Sequence, residues 1–163
     1  TGATPVQNVG AYGAEIADVI ALVRVWDRLE ERVRSLSRAD CGFAYRDSLL
    51  KRSLRGAAPD GGVWSPSPRS VVLDVTLQMP SGTHSAPVRY AQLARALAVA
   101  EGETAPLADV RSAVLGVRAS KGMVLDSDDP DTWSAGAFFT NPIRDADAAA
   151  ELPEAAPGRG TYR

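Results

Sequence analysis

The sequence is poor in the residue types on which several common chemistries depend. Among its 163 residues there is one cysteine, Cys41, and one histidine, His84. A single cysteine excludes an intrachain disulfide, and together with one histidine it gives no plausible zinc ligand set. The chain also lacks a GxGxxG motif, a Walker A motif and any triad pattern around its histidine. We therefore interpret His84 as an exposed loop residue.

Strong net charge and long apolar runs are absent as well. The formal net charge is -2, which gives no electrostatic case for binding nucleic acid or an anionic membrane. No apolar run approaches the ~20 residues of a membrane span, and the N-terminus has no basic segment followed by an apolar one. We expect a cytoplasmic chain in a reducing compartment, with neither nucleic acid nor membrane as a partner.

The acidic stretch DSDDPDTW raises the question of a calcium site. An EF-hand loop needs glycine at its sixth position and glutamate at its twelfth. Counted from Asp126, those positions hold Asp131 and Ala137, and Pro130 intrudes. The stretch is therefore interpreted as a polar loop, and we assign no metal site.

Hydrophobic periodicity predicts strands early in the chain and helices later, which is typical of an α+β fold with a mainly antiparallel sheet and flanking helices. Residues 1–15 are predicted to be loop, and the stretch AYRDSLLKR stays open between structures. In the first strand, alternation puts Val23 and Val25 on one face, with Ile20 and Trp26 on the other. The predicted strands are Val19–Trp26, Arg32–Leu36 and Ser70–Gln78, and the predicted helices are Tyr90–Val99 and Leu107–Arg118.

The N-terminal stretch GATPVQNVGAYG has the composition of a shaped binding loop. Gly10 and Gly13 allow close backbone approach and positive φ. Gln7 and Asn8 offer donors and acceptors suited to the edge of a heterocycle, and Tyr12 offers a flat face. Taken alone, the stretch is better explained as a plain glycine-rich turn.

Four stretches in the same order resemble the UDP-N-acetylenolpyruvoylglucosamine reductase family, MurB. They are the flavin loop GATPVQNVGAYG, the tyrosine-arginine segment FAYRDSLLKR, the tyrosine loop and helix APVRYAQLARAL, and RASKGMVLDSDDPDTWSAGAFFTNP at the entry to the substrate domain. The resemblance covers about residues 1–143, and the amino-acid sequence is most like that of actinobacterial members. It implies the fold of the second half of the MurB FAD-binding region.

The resemblance also implies a reaction in peptidoglycan synthesis. In that family, NADPH reduces bound FAD, and the flavin passes a hydride to the enolpyruvyl double bond of UDP-GlcNAc-enolpyruvate. A serine protonates the adjacent carbon, which gives UDP-MurNAc. FAD and NADPH are thus the implied cofactors, with FAD binding expected to be weak or absent in the isolated chain, and a nucleotide-sugar is the implied partner. The flavin supplies the redox chemistry while the protein supplies orientation.

Site residues follow from the matched positions. Arg46 is implied to polarise the substrate carboxylate, a task suited to a guanidinium, and Tyr90 to close over the nucleotide-sugar. The implied substrate-binding residues are Tyr45, Arg46, Tyr90, Lys121 and Asn141. The implied cofactor-binding residues are Thr4, Pro5, Gln7, Asn8, Gly10, Gly13 and Arg118.

The chain departs from the family pattern in ways that leave its activity open. Where the family reads AGSFF, this chain reads AGAFF, so Ala137 occupies the position of the proton-donating serine. Residues 1–133 are assigned to a partial FAD-binding domain, 134–152 to the truncated start of the substrate domain and 153–163 to a flexible tail. The alternative is a non-reductase derivative, either a nucleotide-sugar or flavin binding module or a protein using the vacated cleft for another reaction. An uncovered sheet edge would favour self-association.

Overall fold

A computed structural model describes residues 2–54, 68–133, 140, 143–145 and 147. Ala137 and Asn141 lie outside the described residues, as do most of 134–152 and all of 153–163, so those assignments stay predictions. The helices are α1 (Ala3–Val6), α2 (Leu49–Leu54), α3 (Ala91–Leu97) and α4 (Leu107–Ala119), with 3-10 turns at Ile16–Asp18 and Pro130–Thr132. The strands are β1 (Gly10–Ala11), β2 (Ala14–Glu15), β3 (Ile20–Asp27), β4 (Arg32–Ser37) and β5 (Ser70–Leu77).

The main sheet has three strands in the order β4-β3-β5, and both pairings are antiparallel. The three strands expected from the sequence are confirmed, with boundaries that differ by about one residue. The predicted α+β class with a mainly antiparallel sheet is therefore confirmed by the structure.

Alternation along β3 is correct for its second half and wrong for its first. Val23 and Val25 are buried and Trp26 is exposed, as expected. Ile20 is also buried, although the pattern put it on the face of Trp26. The reason is a shift in the β3–β5 register between Ile20 and Leu22, since a bulge turns the residues before it onto the opposite face.

The first hydrophobic core lies between this sheet and α2. Its buried members are Ile20, Val23, Val25, Leu36, Cys41 and Leu50. Burial raises the pKa of the Cys41 thiol to about 11, and the neighbouring Asp40 adds to the shift. The stretch AYRDSLLKR resolves into a turn followed by α2, because the Ser48 hydroxyl caps the helix by accepting from the Lys51 amide at 3.0 Å.

A buried ion cluster fastens the other end of β3. Asp27 is 2% exposed and accepts hydrogen bonds from the Arg69 and Arg34 guanidinium groups and from the backbone amides of Leu29 and Glu30. Burial alone raises the pKa of the Asp27 carboxyl, but the bonds from Arg69, Glu30, Arg34 and Leu29 together hold its pKa well below the usual range. The cluster joins the β3–β4 turn to the start of β5.

The second hydrophobic core lies between α3 and α4, and both predicted helices are confirmed. The buried residues at its centre are Val88, Leu93 and Ala94. Pro106 caps α4 at its N-terminus, and Gly122 takes a φ of +63° just after the helix ends. His84 is exposed, as expected, and its Nδ1 lies 3.1 Å from the Thr83 hydroxyl. No helix within the described ranges is both long and apolar enough to cross a bilayer.

Candidate functional site

The N-terminal stretch is folded rather than a plain loop, which corrects the expectation for residues 1–15. One turn of helix, α1, leads into a small hairpin of β1 and β2. Tyr12 and Gly13 form its two-residue turn with φ values of +55° and +81°. Two successive left-handed residues are what such a turn requires to match the twist of its strands. The predicted positive φ is therefore confirmed at Gly13.

Gly10 serves close approach rather than positive φ. A Cβ added at Gly10 would lie 2.8 Å from the Ala14 carbonyl oxygen and 2.8 Å from Nη1 of Arg46. Neither neighbour has room to yield, because one is backbone and the other is held in a hydrogen-bond network. Gly10 thus lets the hairpin lie directly against the arginine.

Asn8 is turned inward and holds the stretch together. It is 1% exposed. Its Nδ2 donates to Glu15 Oε2 at 2.8 Å and to the Ala44 carbonyl at 2.8 Å, while its Oδ1 accepts from the Ala17 amide at 3.2 Å. Both Nδ2 hydrogens and the carbonyl oxygen are therefore engaged within the chain. The Asn8 amide thus holds the N-terminal stretch in shape, and its contact with a heterocycle stays a prediction.

Gln7 and Thr4 occupy more open positions on the same stretch. The Gln7 side-chain amide makes no hydrogen bond to the described part of the chain, so it is the one that remains available to a ligand. The Thr4 carbonyl accepts from the Val9 amide at 3.2 Å, and Pro5 is buried beneath it. Thr4 and Pro5 thus shape the stretch through backbone and packing.

Arg46 docks onto this stretch from a turn 36 residues further along the chain than Gly10. Its Nη1 donates to the Asn8 carbonyl at 3.1 Å and to Glu15 Oε1 at 3.3 Å, and its Nη2 donates to the Gly10 carbonyl at 2.6 Å. The guanidinium carbon lies 5.0 Å from the centre of the Tyr45 ring. We name Asn8, Gly10, Glu15 and Arg46 the Arg46 cluster.

The backbone of the Tyr45–Arg46 turn is strained where it presents the arginine. Ala44 and Asp47 exchange backbone hydrogen bonds of 3.0 Å on either side of the turn. Arg46 has a φ of +50°, in the left-handed region that favours glycine and asparagine. A non-glycine residue kept in that region at some energetic cost is typical of functional sites.

Two residues of the site, Glu15 and Ser48, were missed by the sequence reasoning. Glu15 joins Asn8 to Arg46, and Ser48 is fully buried with its hydroxyl donating to the Val6 carbonyl at 2.7 Å. A signal existed for both. Ser48 directly precedes an apolar helical run, the usual place for a cap, and Glu15 with Asp18 has the spacing of a capping box.

Tyr90 reaches the same region through the hairpin turn. Its ring meets that of Tyr12 edge-to-face, with centroids 5.5 Å apart. A Cβ added at Gly13 would lie 3.3 Å from Cβ of Arg89, so the turn rests directly on the residues before α3. The structure therefore brings Tyr90 to the hairpin that Arg46 holds from its other side.

Arg118 and Lys121 lie apart from the Arg46 cluster in the hydrogen-bond pattern. Lys121 Nζ donates to Gln92 Oε1 at 2.7 Å, which ties the end of α4 to the start of α3. Arg118 Nη2 donates to the Met123 carbonyl at 3.0 Å and closes the turn after the helix. Within the described ranges neither cation forms an ion pair, and the Lys121 contact is to Gln92, two residues after Tyr90.

The acidic stretch is a self-capped loop, as the sequence indicated. Asp126 Oδ1 accepts from the Asp128 amide, and Asp129 Oδ1 accepts from the Asp131 amide, both at 3.0 Å. Within the residues that the structure describes, no group of three or more acidic, histidine or cysteine side chains has a geometry that would hold a metal ion.

Known proteins similar to this chain are reductases of the family that its four sequence stretches resemble. No protein-family profile matches the chain. The chain is 51% identical over 156 residues to the UDP-N-acetylenolpyruvoylglucosamine reductase of Cutibacterium acnes, which covers 96% of this chain and 37% of that protein. It is 51% identical over 153 residues to the enzyme of the same name from Thermobifida fusca, covering 94% of this chain and 39% of that protein.

Among solved structures, the MurB reductase from Thermus caldophilus covers 86% of this chain and 36% of its own, with 20% identity and a TM-score of 0.43. The similarity to this solved structure, at 20% identity, is much weaker than the 51% identity to the sequence relatives. The sequence relatives define a reductase segment that spans somewhat more than a third of their length. The chain is homologous to a segment of the UDP-N-acetylenolpyruvoylglucosamine reductases, the MurB proteins.

Proposed function

We propose that this chain forms the flavin-loop and carboxylate-binding part of an FAD- and NADPH-dependent reductase that converts UDP-GlcNAc-enolpyruvate to UDP-MurNAc. One observation carries the proposal. Arg46, in strained backbone, is held against the N-terminal stretch within a segment that is 51% identical to reductases of this name. A fixed guanidinium is suited to a carboxylate whose charge grows during hydride addition. We place the reaction in the cytoplasm.

The residues present fit a flavin at the N-terminal stretch. The Gln7 amide has no partner within the described part of the chain and offers both a donor and an acceptor. The hairpin beside it is fixed by its own contacts, so a ligand meets a formed surface. FAD, when bound, would supply hydride transfer between NADPH and substrate. The chain supplies the surface, with Gln7 and the backbone between Thr4 and Gly13 as its contacts.

The nucleotide-sugar half of the substrate would extend toward Tyr90 and Lys121. Tyr90 is about one-third exposed and its ring contacts Tyr12 of the hairpin turn, while Lys121 is exposed and bonds to Gln92, two residues after Tyr90. An exposed ammonium suits a diphosphate as a mobile point charge. Arg118 is assigned to the cofactor side and Asn141 to the uridine side by the family pattern alone.

A second candidate function is ligand binding without reduction, and Ala137 favours it. Alanine carries no proton to donate at the position where the family has serine. A derivative of this kind would keep the flavin and carboxylate contacts and lose the final protonation. The two candidates predict the same binding and different turnover.

The test is a chimera in which this chain replaces the matched 156 residues of the Cutibacterium acnes reductase. We expect it to bind FAD and to be reduced by NADPH, since that half-reaction needs no proton from residue 137. Reoxidation by UDP-GlcNAc-enolpyruvate, followed anaerobically by stopped flow, should be slow. Ala137→Ser should speed it by about 10²–10⁴-fold, the usual worth of a general acid.

The parent reductase and its own serine-to-alanine variant are the matched controls. A chimera that is not reduced by NADPH, while the parent is, would contradict the proposed function. Equal reoxidation rates with Ala137 and with Ala137→Ser would show that another group donates the proton.

A further inference from the structure

We propose that Glu15 is the positioning residue that holds the Arg46 guanidinium ready for a carboxylate ligand. That the ligand is the enolpyruvyl carboxylate rests on the proposed function; that Glu15 fixes the arginine rests on geometry alone. No part of the family resemblance assigns a role to Glu15.

The Glu15 carboxylate contacts the side chains of both Asn8 and Arg46. Its Oε1 accepts from Arg46 Nη1 at 3.3 Å, and its Oε2 accepts from Asn8 Nδ2 at 2.8 Å. The carboxylate therefore links the buried Asn8 of the N-terminal stretch to Arg46, which lies in a turn more than 30 residues later in the sequence.

Glu15 is itself well fixed. It lies in β2, paired with Gly10 of β1, and its backbone amide donates to Asp18 Oδ2 at 2.9 Å. Its side chain is 37% exposed and that of Arg46 is 26% exposed. At this exposure solvent screens much of the ion-pair energy. The value of the contact thus lies in orientation more than in stability.

A count of donors shows what this orientation achieves. A guanidinium carries five N–H groups. Three of those on Arg46 go to the Asn8 carbonyl, the Gly10 carbonyl and Glu15. The other two, the Nε–H and one Nη2–H, have no acceptor among the described residues. Two N–H groups are what a bidentate carboxylate contact uses.

Glu15 is the only anion among the described residues that contacts Arg46, and the remaining two acceptors are backbone carbonyls. Without Glu15, one Nη1–H loses its acceptor and competes for an incoming carboxylate. A carboxylate can then bind to different pairs of Arg46 N–H groups, and the guanidinium is no longer held in one orientation before the ligand binds.

The test uses the whole chain and nitrogen-15 NMR of arginine side chains. We expect separate, slowly exchanging Nη signals for Arg46, because three fixed acceptors restrict rotation of its guanidinium. Arg24, in an exposed ion pair with Asp74 at 3.2 Å, is the internal reference and should show averaged signals. This arm needs no variant, so a folding defect cannot obscure it. Averaged Arg46 signals in the wild-type chain would overturn the proposal.

The variant arm adds pyruvate as a carboxylate probe and pyruvamide as its neutral counterpart. Pyruvate should shift the Arg46 Nε–H signal and pyruvamide should not. Glu15→Gln should average the Nη signals and weaken pyruvate binding about tenfold, while Asp74→Asn leaves both unchanged. Pyruvate binding that is absent in the wild-type chain, or unchanged by Glu15→Gln, would overturn the proposal.

This experiment contains no FAD, NADPH or nucleotide-sugar. If the chimera fails as a reductase and the NMR result holds, the proposed function is wrong and the positioning role stands. If the chimera is active and Arg46 signals are averaged, the positioning role is wrong and the proposed function stands.

Discussion

The cation of the Arg46 cluster and the two cations at the C-terminal end of α4, Arg118 and Lys121, differ in how many contacts hold them. Arg46 is half-buried, strained at its backbone and bound to three acceptors in another part of the chain. Lys121 is exposed, and among the described residues its ammonium makes one hydrogen bond, to the Gln92 side chain of the preceding helix α3. Arg118 makes one to a carbonyl five residues away.

The contrast separates a cation that several fixed contacts orient from cations whose side chains each make one contact among the described residues. A guanidinium tied to fixed carbonyls cannot leave without disrupting the hairpin beneath it. Under the proposed function, the exposed Lys121 would give up one side-chain contact, to Gln92, when it turns toward a diphosphate. We therefore expect changes in the Arg46 cluster to alter stability, the orientation of Arg46 and carboxylate binding together, and changes at the end of α4 to alter ligand affinity with little effect on stability.

The largest effect on stability should come from Asn8→Ala. The change removes three hydrogen bonds from a buried residue, and it places alanine at a φ of +42°. We expect a loss of about 3 kcal/mol in the free energy of unfolding, measured by urea denaturation. Gln7→Ala is the matched control, with an expected loss under about 0.5 kcal/mol. Equal losses would show that the stretch is not held by Asn8.

Two glycine substitutions should move stability in opposite directions. Gly10→Ala forces a Cβ to within 2.8 Å of backbone and of Arg46, so we expect a loss of about 2 kcal/mol. Gly116→Ala, within α4, meets nothing within 4 Å and should stabilise the chain by about 0.5–1 kcal/mol. Thermal unfolding of both variants measures the contrast. If Gly10→Ala proves neutral, the close contact with Arg46 does not exist in solution.

Acid should lower the free energy of unfolding by protonating Asp27, which lies at the end of strand β3 in the main sheet. Its pKa is lowered in the folded chain, so its contribution is present above the ordinary aspartate value, about 3.9, and is lost as pH falls below it. Unfolding free energy should fall by up to about 1.4 kcal/mol per pH unit from this group. Asp27→Asn should flatten that slope, and Asp74→Asn, at an exposed ion pair, should not. An acid limb unchanged by Asp27→Asn would assign the effect to other carboxylates.

The smallest effect on stability should come from Lys121→Gln. The exposed bond to Gln92 contributes no more than about 0.5 kcal/mol, so the melting temperature should stay nearly constant. In the reductase chimera, the same change should raise KM for the nucleotide-sugar and leave flavin reduction by NADPH unchanged. A loss of stability as large as that of Asn8→Ala would remove the distinction between the two regions.

Local pattern was enough to predict much of the fold. Strands β3 and β5 and helix α4 follow from alternation, a β-branched run and a proline at the helix start. The bulge that turned Ile20 inward could not be predicted, because it depends on register with β5, some 50 residues away.

The site was harder to read from sequence. Residue type singled out Asn8 and the family resemblance singled out Arg46, but neither showed what these residues contact. The partners of Asn8 include a carbonyl 36 residues distant, and those of Arg46 lie in the N-terminal stretch. Glu15 was missed because its spacing to Asp18 indicates only a capping box, and nothing local shows that its carboxylate also contacts Asn8 and Arg46. Its importance is visible only once the chain folds back on itself.

The central claim is that the N-terminal stretch is folded by its own contacts and holds Arg46 without a ligand. Hydrogen exchange of the Ala17 amide tests it most directly, because that amide is buried and donates to the Asn8 side chain. We expect it to exchange in the ligand-free chain nearly as slowly as the amides of the central strand β3. Exchange as fast as that of Asp128, in the exposed acidic loop, would contradict the claim.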